Sequence, residues 1–586
     1  MDRRSFLRAR NSKPILAAAS AGVAGGDHQP AVAPDTEAQN IHASAKPARP
    51  ARIILSGLNP YNGPWTQAEV AHLLKRTMFG AKQSDINHFL SRSAGASVDE
   101  LLNPTAPAPQ PPLKTYNNTN TPAGDPDIAI AQGQTWVNTA TADGGVQSNR
   151  RNSYRSWWMG TLINQDRSIL EKMVLFWHNH FATEANEVGN ARYVFKQHET
   201  LRQNALGNVK VLVKAITLDP AMLVYLNGQL NNKNSPDENY SRELQELFTL
   251  GKENNPNYTE DDVKVAARVL TGWRNDAASN VSFFDPTRHD TGNKTFSSFY
   301  NNNVITGRTG ATAGEQELDD LLTMIFNKGE EVSRFIVTKI YRWFVYYEID
   351  ATTQANVIEP LAQLLRNSNW DIRPVLSQLF KSEHFFDTLN QGCHIKSPVD
   401  FIVGLCREYE VVFPGNADYA AQYAHWNYLR GWGTNMQQTL GDPPDVSGWK
   451  AYYQVPNFYE IWINSDTYPK RNQFSDIMVV NGYTNNSKKI IIDPVAYAKT
   501  FPNASDPNQL IADVIQHLYR VPVSLNTRNQ IKKDILLTGQ DQDYYWSNAW
   551  NAHIANPADM MAYNAVYTRL RDLLRYLMNL AEYHLA

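Results

Sequence analysis

The stretch SILEKMVLFWHNHF, residues 168–181, surrounds two histidines with bulky apolar side chains. Met173, Val174 and Trp177 recur at helical spacing, which predicts a helix that is buried in a core. Polar side chains inside a core need partners. The two imidazoles therefore indicate either a metal site or a pair of structural hydrogen bonds.

His178 and His180 are two positions apart, and residues at that spacing point about 200° away from each other in an ideal helix. Both could face one ion only if the helix ends near Asn179, and the polar stretch ATEANEVGN that follows favours such an end. Otherwise one imidazole faces the site and the other caps a carbonyl. Glu171 lies two turns earlier, so it is better placed to support a ligand than to be one.

Helical spacing recurs along most of the chain, and alternating strand patterns are few. From residue 65 to residue 586 the sequence predicts a mainly α fold, a large multi-helix single body with long irregular loops. The loops are expected where polar residues, glycine and proline accumulate or where aromatics lack a period, at residues 103–150, 275–313 and 414–490.

The overall composition limits the class of protein. The 586 residues carry a formal net charge of −3, and 19% of them are charged, which suits an exported globular protein. No basic stripe is present in the sequence, so we expect no nucleic-acid binding. Cys393 and Cys406 lack the spacing of a zinc motif, and a single disulfide and two free thiols both remain open.

The N-terminus has the pattern of an export signal. DRRSFLR, residues 2–8, resembles a twin-arginine signal, and the ILAAASAGVAGG that follows is too short and too mildly apolar to span a bilayer. We expect a signal over residues 1–33 and a linker over residues 34–64, in a periplasmic or secreted protein. No permanent membrane span is expected.

A second polar cluster lies in SRELQELFTLG, where Glu243 and Glu246 are three positions apart and so share one face of an α-helix. Two buried carboxylates at that distance repel each other unless a cation, a shared proton or arginines stabilise them. Arg242 and Arg268 are candidates for such arginines. The simpler alternative is a ladder of surface ion pairs.

A third polar cluster lies in FFDPTRHDTGNKTF, residues 283–296, which carries His289 and Asp290 together with Asp285 and Lys294. Histidine and carboxylate ligands suit zinc, manganese or iron. We therefore expect a divalent metal ion as cofactor. Its ligands are drawn from His178, His180, Glu243, Glu246, His289 and Asp290.

The catalytic side chains expected from this set are His178, Glu243 and Glu246. His178 and one glutamate would bind the metal, and the other glutamate would act as general base to a metal-bound water. The expected activity is that of a metal-dependent hydrolase, favoured over an oxidoreductase, on an unknown substrate. The alternative for FWHNHF is a structural histidine cluster whose partner is Glu171 or a backbone carbonyl.

A rival function of another class is a non-catalytic exported binding or scaffold protein with an aromatic-rich surface. Residues 414–470 contain four tryptophans with many tyrosines and asparagines: Trp426, Trp432, Trp449 and Trp462. Exposed aromatic rings stack on sugars or anchor a protein partner. The same rings could instead fill a core, and burial distinguishes the two.

Several blocks in one order resemble the bacterial family catalogued as domain of unknown function 1800. They include RTMFG, EKMVLFWHNHF, LDPAMLVYLNG, ENYSRELQELFTLG, IKSPVDFIVG and DPPDVSGW, and the resemblance runs from about residue 65 to the C-terminus. It implies an exported, mostly helical protein, and many members are encoded beside an exported sulfatase-like family, which is therefore an expected partner. Many members have histidine where this chain has Phe248; if that histidine is a metal ligand, this chain lacks it.

Overall fold

Helices follow one another along the described chain, which comprises residues 54–252, 257–449 and 461–586 of a computed structural model. The N-terminal part contains α1 (Gln67–Thr77), α2 (Gln83–Leu90), α3 (Ala94–Leu102), α4 (Gly144–Ile163), α5 (Leu170–His180), α6 (Ala185–Val188), α7 (Ala191–Asn204), α8 (Val209–Thr217) and α9 (Pro220–Tyr225). The predicted export signal, residues 1–33, and most of the predicted linker lie outside the described residues.

The middle part continues the same pattern. It contains α10 (Asn239–Glu243), which runs on as the π-helix Leu244–Thr249, then α11 (Glu260–Val269), α12 (Ala313–Phe326), α13 (Gly329–Phe344), α14 (Ala351–Thr353) with the π-helix Gln354–Ile358, α15 (Glu359–Asn367), α16 (Ile372–Phe380), α17 (Glu383–Phe386) and α18 (Pro398–Glu408).

The C-terminal part contains α19 (Tyr419–Asn435), α20 (Thr467–Val480), α21 (Pro494–Ala498), α22 (Pro507–Leu518), α23 (Leu525–Ile531) with the π-helix Lys532–Leu536, α24 (Tyr544–Ala555) and α25 (Met560–Met578). Short 3₁₀ turns occur at Pro126–Ala129, Gly228–Leu230, Pro286–Arg288, Ser298–Tyr300, Thr388–Asn390, Asn416–Asp418 and Ala581–His584.

Strands in the described ranges form only two-stranded antiparallel hairpins. They pair β1 (Trp273–Asp276) with β2 (Val281–Phe284), β3 (Lys294–Thr295) with β4 (Val304–Ile305), and β5 (Tyr483–Asn485) with β6 (Lys488–Ile490). The predicted mainly α fold is confirmed. No helix in these ranges is long and apolar enough to cross a membrane.

The predicted loops need correction. Residues 414–490 contain α19, α20 and the β5–β6 hairpin, residues 275–313 contain most of the other two hairpins, and α4 begins at Gly144, inside the predicted loop 103–150. The sequence of α19 lacks a clear apolar period, because Gln422 and His425 lie on its buried face beside Trp426 and Leu429.

Helix α5 is buried on every side, since each residue from Glu171 to His180 is buried. A helix with no solvent face must satisfy its polar side chains inside the protein. Glu171 pairs with Arg202 of α7, and Lys172 pairs with Asp400 of α18. The Trp177 indole N–H donates to the carbonyl of Ala205 over 2.9 Å. These bonds fix the neighbours of α5.

Helices α4 and α19 approach each other closely where Gly160 of α4 faces the indole ring of Trp426. A Cβ at Gly160 would lie 2.4 Å from that ring, which is closer than nonbonded carbons approach. The glycine therefore allows the two helices to pack at this point.

We predict that Gly160→Ala destabilises the fold by about 1–3 kcal/mol, because the added methyl overpacks the contact with Trp426. Gly431→Ala on α19 is the matched control, since nothing lies within 4 Å of a Cβ there. It should be neutral or raise stability by up to about 1 kcal/mol. Urea unfolding midpoints measure both, and equal midpoints for the two variants would contradict the contact.

Candidate functional site

His178 lies near the end of α5 between two indole rings. Its ring centroid is 4.9 Å from that of Trp158 and 5.8 Å from that of Trp449, and its side chain is 3% exposed. Burial lowers the pKa of His178 to about 3, so the imidazole is neutral at neutral pH. Its Nδ1 is buried and has no hydrogen-bond partner among the described residues. His178 therefore keeps one nitrogen that could accept a proton or a ligand.

His180 has a different environment, because α5 continues to His180 and the two imidazoles do not converge. Its Nε2 donates to the carbonyl of Phe248 over 3.1 Å, and its Nδ1 lies 3.0 Å from Lys339 Nζ. A carbonyl only accepts and an ammonium only donates, so the imidazole is neutral with its proton on Nε2. Burial and then the charge of Lys339 lower the pKa of His180 well below its usual value.

Lys339 and His180 also bind carbonyls near the end of the π-helix Leu244–Thr249. The last carbonyls of a helix have no partner within it. Lys339 Nζ donates to the carbonyl of Leu247 over 3.0 Å, and His180 caps the next carbonyl, that of Phe248. This is the alternative in which one imidazole of FWHNHF caps a carbonyl. Both ring nitrogens of His180 therefore contact protein groups.

Glu243 and Glu246 are both buried, at 7% exposure each. The helix changes from α to π after Glu243, so the three-residue spacing no longer stacks the two side chains as an α-helix would. Glu246 pairs with Lys252 over 2.8 Å. The suggested arginines bind other carboxylates: Arg242 pairs with Glu238 and Glu260, and Arg268 pairs with Asp290.

The third cluster forms its own ion-pair network. Lys294 Nζ is 2.6 Å from Glu317, and His289 Nε2 lies 3.1 Å from the same carboxylate, with all three side chains at or below 1% exposure. Burial would raise the pKa of Glu317, but His289, Lys294 and the Arg308 N–H outweigh it and lower the pKa. His289 Nδ1 lies 2.9 Å from the Thr271 carbonyl. This network joins the hairpin region to α12.

The predicted metal ligands are thus mostly engaged by the protein. His180, Glu246, His289 and Asp290 each have partners of their own. In the described part of the chain no three His, Cys, Asp or Glu side chains are grouped so as to hold a metal ion. A metal bound through His178 and one of Glu243 or Glu246 stays a prediction.

Two blocks of the sequence, FWHNHF and GDPPDVSGW, contact each other beside His178. Asn179 Oδ1 accepts the backbone N–H of Trp449 over 2.7 Å, which seats GDPPDVSGW, residues 441–449, on the end of α5. Gly448 has a φ of +84°, and a Cβ there would lie 2.3 Å from the Asn179 carbonyl oxygen. Only glycine suits this position.

The four tryptophans of residues 414–470 lie in or against the core, so they do not support the rival hypothesis in its aromatic form. Trp426, Trp449 and Trp462 are 6%, 1% and 3% exposed, and Trp432 is partly buried against the same core. The rings pack on neighbouring helices, because α19 and α20 supply the regular frame that the sequence pattern did not indicate. These tryptophans do not form an exposed stacking surface.

A cleft of about 350 Å³ lies between α4 and α19, and we call it the α4–α19 cleft. On α4, Asn149, Asn152, Ser153 and Ser156 line it. On α19 the lining comes from Ala420, Tyr423, Ala424, Asn427 and Arg430, and Thr115 and Tyr116 complete the wall. Both helices thus contribute residues spaced i, i+3, i+4 and i+7, which form one helical face. The short side chains of Ser153, Ala420 and Ala424 leave the space open.

Polar groups of the cleft are partly fixed and partly free. The Tyr423 hydroxyl accepts the Leu113 N–H over 2.9 Å, and the Tyr116 hydroxyl donates to Asp127 over 2.9 Å. Asn427 accepts from Arg430 over 2.7 Å. The side-chain amides of Asn149 and Asn152 have no hydrogen-bond partner in the described ranges. The cleft therefore combines a rigid frame with unused donors and acceptors.

This cleft is not evident from the sequence, because α19 and the start of α4 lie in the segments 414–490 and 103–150, which the sequence pattern predicts as loops. The usable pattern was in SNRRNSYRSWW, residues 148–158, where small polar residues recur at i, i+3, i+4 and i+7. A polar face of that kind on a helix that is otherwise buried indicates a solvent-filled cleft.

Comparison with known proteins gives a family but no activity. The family model described as "Protein of unknown function (DUF1800)" matches residues 72–585. No curated protein and no solved structure matches the chain.

We predict that His178 makes the fold more sensitive to acid. The unfolded imidazole takes up a proton below pH about 6.5, whereas the folded one does so only near its pKa of about 3. The unfolded state therefore binds more protons in this window, and stability falls as the pH falls. From pH 7 to pH 5 the loss due to His178 is about 2 kcal/mol.

His178→Gln removes this titration, so its urea midpoint should fall less between pH 7 and pH 5 than that of the wild type. Gln changes the packing at both pH values, and for that reason the comparison is between the two pH-dependent losses. Equal losses in the two proteins would show that His178 is not buried in its neutral form.

Proposed function

The chain belongs to the DUF1800 family, and on that premise we propose that it is an exported binding protein that holds a small, hydroxyl-rich molecule such as a sugar in the α4–α19 cleft. The observation that carries the proposal is the lining of this cleft by amide and hydroxyl side chains between tyrosine rings. This retains the non-catalytic binding hypothesis but moves the site from the tryptophans to α4 and α19.

The chemistry of the lining suits sugars. Amides and hydroxyls both donate and accept hydrogen bonds, as sugar hydroxyls do. Tyr116 and Tyr423 add apolar ring surface beside polar groups, and their hydroxyl bonds hold the rings in place. A volume of about 350 Å³ is near the lower end for ligand sites. A small ligand therefore fits better than a polymer.

We predict that the protein binds at least one of glucose, N-acetylglucosamine and glucuronate, and that Asn152→Trp weakens this binding at least about tenfold by filling the cleft. Asn564→Trp is the matched control, because Asn564 is an exposed asparagine on α25, outside the cleft. Isothermal titration calorimetry measures both. Unchanged binding in Asn152→Trp would contradict this site.

A second candidate is the metal-dependent enzyme, with a hydrolase favoured over an oxidoreductase. The observation that favours it is the buried, neutral imidazole of His178, whose Nδ1 has no hydrogen-bond partner among the described residues. One of Glu243 and Glu246 is the other ligand in this proposal, and the second glutamate is the general base. Side chains beyond these two would have to complete the coordination, since no group of three is present in the described ranges.

Elemental analysis of protein purified from its native compartment tests the second candidate. We expect no zinc, manganese or iron at one equivalent per chain, because predicted ligands such as His180, His289 and Asp290 bond to protein groups. One equivalent of metal that is lost in His178→Gln and retained in His180→Gln would establish the metal site and displace the binding proposal.

Export and partnership are separate proposals that rest on sequence. The twin-arginine pattern of DRRSFLR supports a periplasmic or secreted location, and replacing Arg3 and Arg4 with lysine should leave the protein inside the cell on fractionation. From the family resemblance we also propose an exported sulfatase-like protein as partner. Co-purification of such a protein from the exported fraction tests this, and its absence would count against the partnership.

A further inference from the structure

Three arginines converge at the Arg430 end of the α4–α19 cleft. Arg151 and Arg155 stand on α4, Arg430 stands on α19, and Asp442 of GDPPDVSGW interacts with all three. Arg155 Nη2 pairs with Asp442 and also donates to Asn186 over 2.8 Å. The Asn186 N–H donates to Asp442 over 3.0 Å. This part of the cluster is built as a fixed unit.

The cluster carries more positive than negative charge. One carboxylate, Asp442, faces three guanidiniums, which leaves an excess of two positive charges. Glu184 lies near Asp442 and Asp445 and interacts electrostatically with them. It accepts a hydrogen bond from the Tyr225 hydroxyl over 2.9 Å and does not pair with the arginines. Burial and the charge of Arg155 lower the pKa of Arg430 to about 10, while Asp442 opposes them. Arg430 is still charged at neutral pH.

Donors of this cluster remain unused. The Nε atoms of Arg151, Arg155 and Arg430 are buried and have no hydrogen-bond partner among the described residues. Arg155 is only 5% exposed. A buried, unpaired N–H on a charged group costs free energy, and an oxyanion is the ligand that satisfies guanidinium donors best. Arg430 both belongs to this cluster and lines the cleft.

We infer that the ligand of the α4–α19 cleft is an acidic sugar or a similar hydroxylated compound with one oxyanion group. Arg430 binds the oxyanion, and Arg155 lies behind Arg430. This rests on the proposed function, because it names the ligand class of the same site. The hydroxyl groups contact Asn149, Asn152 and Asn427, and the carboxylate or sulfate contacts Arg430. Arg155 positions the charge by holding Asp442 in place.

The test is calorimetric titration of the intact protein with glucuronate, glucose 6-sulfate, glucose and inorganic sulfate. We expect at least one of the two acidic sugars to bind at least about tenfold more tightly than glucose, and the preference to weaken as salt screens the charges. Arg430→Gln should remove the preference, so that the acidic sugars bind no more tightly than glucose. Arg430→Lys, which keeps the charge but not the fork of donors, should retain part of it.

The control is Arg571→Gln on α25, which also removes one positive charge. Arg571 lies outside the cleft and pairs with its neighbour Asp572. This variant should keep the full preference for the acidic sugar, and thermal melting of each variant verifies folding. Equal affinities for glucose and both acidic sugars would overturn the inference and leave the proposed function intact. Binding of sulfate alone, lost in Arg430→Gln, would support the anion site and refute the sugar. Binding of none of the four probes would overturn both.

Discussion

The constraint on which the fold depends is the complete burial of α5. Ten consecutive residues, Glu171–His180, have no solvent face, so every polar group among them must find its partner inside the protein. The partners come from distant parts of the chain: Arg202, Asp400, Phe248, Lys339 and Trp449. One helix thereby ties together α7, α18, the π-helix, α13 and GDPPDVSGW.

This constraint separates the chemistry of the core from the chemistry of the surface. His180 and Asn179 form hydrogen bonds with backbone groups, and His289 of the hairpin region pairs with Glu317. Polar side chains of α4 and α19 line an open cleft instead. Asp442 connects the two regions, because it belongs to the block that docks on α5 and also pairs with Arg155 of α4.

The sequence was sufficient for the fold class and for the burial of α5, because apolar residues at helical spacing dominate that stretch. It also predicted that one imidazole would cap a carbonyl if the helix did not end at Asn179. It was not sufficient for α19, whose buried face includes Gln422 and His425. Nor could it place Arg155 and Arg430 together, since their convergence depends on tertiary packing at Gly160.

If His180 caps the carbonyl of Phe248, its ring is neutral and carries its proton on Nε2. Nitrogen-15 NMR of histidine-labelled protein, with the His180 signals assigned by their loss in His180→Gln, measures this directly. This cap predicts a protonated Nε2 and an unprotonated Nδ1 that do not change between pH 8 and pH 6 or on adding one equivalent of zinc. A protonated Nδ1, or shifts of either nitrogen with zinc, would contradict it.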